Sequence, residues 1–154
     1  MAATRKGGQM AQQTSATRHN ASGAATAFLA VVIIIAAAVV AEFFLAGWGT
    51  FDGVHSGATA GDTSAFDPHK TLGYAIAALG VVSAVLAVPA RLGGRVLGMT
   101  VALFVLAGPV QALLAHAGED SGAGWGAVHG LVGALILGLV ATLLRIGSAG
   151  RRPR

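Results

Sequence analysis

Cysteine is absent from the 154-residue chain. That excludes disulfides, thiolate metal sites and covalently attached c-type haem. Charge is scarce as well: Asp, Glu, Lys and Arg make up 10% of residues, against roughly a quarter in a soluble domain. Aromatic residues reach only 6%, with a single tyrosine. No phosphate-cradling glycine loop, nucleophile–base constellation or soluble catalytic domain is visible, so any chemistry belongs to a bound cofactor. The pI near 10.8 comes from sorted arginines and not from a nucleic-acid module, and nucleic acid is not an expected partner.

Apolar sequence fills the space that charge leaves. The chain is 55% hydrophobic, with a mean hydropathy of +0.72. Four runs are long enough to cross a bilayer core of ~30 Å as helix: about 24–47, 69–89, 96–117 and 127–146. Connections of roughly 6 to 21 residues make neighbouring helices antiparallel. The expected fold is therefore all-α, an integral membrane up-down four-helix bundle in contact with the lipid bilayer. Residues 24–147 form the transmembrane domain. Residues 1–23, rich in Ala, Gln, Thr, Ser and Gly, read as a disordered cytoplasmic tail, and 148–154 as a short basic one. The first apolar run is too long for a cleaved leader and reads as a retained anchor.

Arg5, Lys6 and Arg18 precede the first run; Arg91 and Arg95 separate the second and third; Arg145, Arg151, Arg152 and Arg154 close the fourth. The remaining loops hold Asp52, Asp62, Asp67, Glu119 and Asp120, with Lys70 the only base near them. The positive-inside rule then puts both termini and the 90–95 turn in the cytoplasm.

The two halves of the domain resemble each other. Leu45-Ala46-Gly47 is followed by His55, and Leu106-Ala107-Gly108 by His116, each eight residues on. His69 and His129 then open the second and fourth helices, with Gly73 and Gly133 at i+4. The pattern is a repeat of helix pairs. Four histidines consequently collect near the outer face. Two imidazoles on different helices at matching depth can ligate both faces of one haem iron. A glycine one turn deeper on the same face leaves room for a flat ring. A plain interfacial role is the alternative for each histidine.

His116 and His55 are candidates for a second pair, for supporting hydrogen bonds, or for a surface copper or zinc site together with the first pair. The helix is expected to falter at Gly47, Gly49 and Gly53 before reaching His55. Lys70 is placed to pair with a haem propionate. Glu42, the only acid inside a span, is a candidate proton or quinone site. Pro109 should kink the third helix, with Gln111 satisfying the freed local backbone. Trp48, Phe51, Phe66 and Trp125 read as an interfacial aromatic belt.

"FDPHKTLGY", "AGPVQALLAH" and "WGAVHGLVGALILG" together resemble a group of small four-helix bacterial membrane proteins of uncharacterised function, mostly actinobacterial. More distantly they are similar to one half of haem A synthase and to b-type membrane cytochromes. The likeness covers about 25–147 and differs in having one four-helix half and in Lys70 after the first ligand position. The resemblance implies a bacterial cytoplasmic membrane and haem b held by His69 and His129. Three functions are open on this reading: a membrane-bound b-type haem protein passing electrons at the outer face, as a small subunit of a respiratory or oxidase complex; a cofactor-free structural or assembly subunit; or an outer-facing copper or zinc binding protein. Glycine- and alanine-rich faces also suit a homo-oligomer.

Overall fold

The computed structural model describes residues 3–57 and 62–149, and every element in them is helical. Helix α1 spans Ala3–Ser56, a 3₁₀ turn Ser64–Phe66 leads into α2 at Asp67–Ala87, and α3 covers Gly93–Val105. A π-helical segment, Leu106–Val110, passes the chain from α3 to α4, Gln111–Ser121. Helix α5 spans Ala123–Ala149. Four stretches are long and apolar enough to cross a membrane: Ala21–Ser56, Ser64–Ala87, Gly93–Asp120 and Gly124–Ala149.

Around the bundle, α1 packs against α2 and α5, α2 against α3, and α4 against α5. The tight core lies towards the end that carries the α2–α3 turn. Phe28, Val32, Ile35, Leu103, Val140 and Leu143 are sealed there. Ser83 and Thr100 are equally buried, and each hydroxyl donates to a carbonyl of its own helix, Gly80 at 2.7 Å and Leu97 at 2.8 Å. No polar group is thereby left open in an apolar layer. Backbones approach where side chains vanish: a Cβ on Gly80 would stand 3.1 Å from the Cα of Phe104. Large apolar side chains such as Ile33, Ile34, Val85, Leu131 and Leu135 face outward, as a lipid-facing surface requires.

Several expected boundaries move. Helix α1 begins at Ala3, where a disordered 1–23 tail was expected. Ala, Gln, Met, Arg and Lys favour helix, and extending an existing helix costs far less than starting one. It also continues through Gly47, Gly49 and Gly53 to His55 and Ser56. Gly49 is required there by close approach, since a Cβ would lie 2.9 Å from both the Ala65 carbonyl oxygen and the Phe66 ring. The fourth span opens at Ala123 because Gly122, at φ 104°, breaks the chain before it. His129 therefore sits almost two turns inside α5 and does not open it. From residue 150 the expected basic tail lies outside the described residues.

Candidate functional site

Pro109 decides the shape of the histidine end. It has no N–H to give and its ring crowds the preceding turn, and the chain answers with the π segment 106–110. Such an insertion re-aims the helix downstream of it. Gly108 still lies close to α2, with a Cβ there meeting Ala77 at 3.4 Å. Beyond it, α4 packs on α5 and on the π segment but its backbone approaches neither α1 nor α2. The bundle thus opens towards this end into a largely apolar cavity of about 190 Å³.

His69 and His129 meet on its wall, their ring centres 5.9 Å apart and nearly edge-on at 66°. His69, third in α2, is in ion-pair contact through Nδ1 with the Glu42 carboxylate from α1. Glu42 is only 12% exposed in its side chain, and no hydrogen bond reaches either of its oxygens. The Gln111 carbonyl lies 3.3 Å from His129 Nδ1. A ring N–H on Nδ1 would donate to each of these acceptors. Among the described residues neither Nε2 has a hydrogen bond or ion pair. Phe66 stands edge-on to the His69 ring at 6.5 Å, so it props that ring and is more than a member of an aromatic belt.

Gly73 and Gly133 both line the cavity, and protein side chains use part of the room they leave. A Cβ on Gly73 would stand 3.3 Å from Glu42 Oε1. One on Gly133 would stand 3.5 Å from Gln111 Nε2 and from the Phe43 ring. Gln111 does not repair the backbone around Pro109 as expected. Its side chain lines the cavity, and its Oε1 is buried without a partner. The π segment settles the backbone by changing register, which frees the side chain.

The outer cluster is separate. Lys70 donates to Thr63 Oγ1 at 2.7 Å and pairs with Glu119 at 3.4 Å, so it ties the start of α2 to the end of α4 across the mouth of the cavity. His116 stands 3.6 Å from Glu119 but is 84% exposed, and His55 lies on an exposed groove beside Trp48 and Phe51. Neither joins His69 and His129. Among the described residues no three His, Asp or Glu side chains gather closely enough to hold a metal ion by themselves. Sequence reading missed Phe43, Thr63 and Tyr74. Only the three-dimensional crossing of α1 and α2 with the opened α4 brings them to the site.

Residues 42–118, half of the chain, match the model of a family of unknown function, DUF6220. The chain belongs to that family. The matched stretch begins at Glu42 and contains His69, Lys70, Gln111 and His116, whereas His129 lies beyond it. No curated protein and no solved structure matches the chain.

Proposed function

We propose that the chain is a b-type haem protein of a bacterial cytoplasmic membrane. His69 and His129 would hold the haem, and the protein would pass electrons at the outer face as a small subunit of a larger complex. One observation carries this reading: two imidazoles from different helices share one apolar cavity, each with Nδ1 against an acceptor and Nε2 without a partner. Ligating histidines characteristically give their second nitrogen to a carboxylate or carbonyl, which fixes the tautomer and the ring. The ring centres of His69 and His129 lie 5.9 Å apart, so a group bound in the cavity could be reached by both.

Haem also suits the donor count. Copper and zinc sites draw three or four ligands from the protein, whereas a haem needs only an axial pair. The bound group would supply a one-electron couple tuned by its axial imidazoles and by burial. The chain's own residues divide the remaining work. Glu42 orients His69, the Gln111 carbonyl orients His129, and Lys70 sets a positive charge at the rim. An outward-facing site and cytoplasmic termini belong to the same proposal and rest on the arginine distribution.

The test is an absorption spectrum of the detergent-purified chain, oxidised and then dithionite-reduced, with iron measured on the same sample. The expected result is a Soret band, sharp reduced bands and about one iron per chain, lost in His69→Ala and His129→Ala. A colourless but helical protein, purified from cells supplied with haem, would overturn the reading.

A further inference from the structure

We infer that the cavity loads its haem sideways from the bilayer, through the cleft between α2 and α4, with Lys70 at the rim receiving a propionate. The inference rests on the haem reading above and concerns the route, not the ligands. The first observation is the packing: α2 meets α3 and the π segment closely, but α4 turns away from it. The seam between the second and third spans is closed from the α2–α3 turn to Gly108 and open beyond. The second is exposure along that seam. Tyr74 on α2 and Ala112 on α4 both line the cavity while facing outward, Tyr74 at 71% exposed. They form the two jambs of an opening that faces the lipid.

Size gives a third argument. Pockets that enclose a ligand of a few dozen atoms hold roughly 300–1,000 Å³, whereas this one holds about 190 Å³. A group of haem's size held by His69 and His129 would therefore reach beyond the enclosed space, and the cleft between α2 and α4 is where it could do so. Of the neighbouring spans around the cavity, α1 packs against α2 and α5, and α4 against α5, whereas α2 and α4 make no close backbone approach. Charge completes the picture. Haem in a bilayer carries its propionates at the headgroup level, and the cation at the cleft's polar end is Lys70, held by Thr63 and Glu119 and still partly exposed. An arriving carboxylate would exchange with Glu119 for the ammonium, one ion pair replacing another.

The experiment uses the full-length apoprotein in phosphatidylcholine vesicles, with hemin already partitioned into the lipid, and follows the Soret shift in time. Ala112→Trp narrows the cleft and is expected to load about tenfold more slowly, the factor given by ~1.4 kcal/mol of added barrier. Once loaded it should still show two imidazole ligands, since His69 and His129 are untouched. Tyr74→Ala widens the cleft from an exposed position and is expected to load faster. Leu135→Trp, on the lipid face of α5, should leave the rate unchanged. If Ala112→Trp and Tyr74→Ala both load at the wild-type rate, the sideways route is wrong while the haem reading stands. If the wild type itself never develops the bis-imidazole spectrum, the haem reading fails first and takes the route with it.

Discussion

Glu42 is the residue on which the site's geometry turns. It approaches His69 from a neighbouring helix, and its carboxylate has no hydrogen-bond donor beside it to compete for it. Removing an orienting partner of this kind costs a ligand roughly 10–100-fold in affinity. On the proposed haem reading, Glu42→Ala is therefore expected to weaken hemin binding by about that factor, in titrations of the purified apoprotein. Glu42→Gln, which keeps an acceptor, should recover part of it. Asp62, outside the spans, offers a check on the loop before α2. The Ser64 hydroxyl at 2.7 Å, and then its backbone N–H, hold the carboxyl below the usual carboxylate range. A depressed folded value contributes stability above the ordinary carboxylate pKa, and that stability is lost as pH falls through the folded one. Ser64→Ala should return the Asp62 titration towards the ordinary value, as read by NMR.

Among the elements, the third span carries most of the consequence. The segment 106–110 is a π insertion, and at Gly80 the seam between α2 and the third span is a backbone approach. Gly80→Leu would drive a side chain into the Phe104 backbone. It is expected to cost about 1–3 kcal/mol, seen as a lower melting temperature in detergent. Gly98→Ala, with nothing within 4 Å, should be neutral or mildly stabilising. Much of this level was legible in the sequence. Four apolar runs gave four spans because hydropathy over about 20 residues is a local property. His69 and His129 could be paired because they stand at nearly the same spacing after His55 and His116. The features that stayed hidden depend on distant backbone. Gly49 looked like a helix breaker until Ala65 and Phe66 were packed on it. Gln111 looked like a backbone patch until the π insertion made one unnecessary. The Leu-Ala-Gly triplets show the same limit: Leu45-Ala46-Gly47 lies in regular helix, whereas Leu106-Ala107-Gly108 starts the π segment.

At the scale of the whole molecule, the bundle is tight at one end and open at the other. Its sealed apolar residues sit with the α2–α3 turn, and the histidines lie in the open part. Which end faces which compartment can be read directly, because the chain has no native cysteine. Single cysteines at Asp120 and at Gly94, both exposed, give a labelling experiment with no background. A membrane-impermeant maleimide applied to intact cells should modify Asp120→Cys and spare Gly94→Cys. The reverse pattern would invert the arginine-based orientation.

Trp48 near the end of α1 and Trp125 near the start of α5 are the only two tryptophans, and both stand exposed at the open end. All of the molecule's indole fluorescence therefore originates at the end that carries the cavity, and none beside the sealed core. Emission from the unlabelled protein reports on that end alone, and the haem proposed above would darken it by energy transfer without any dye.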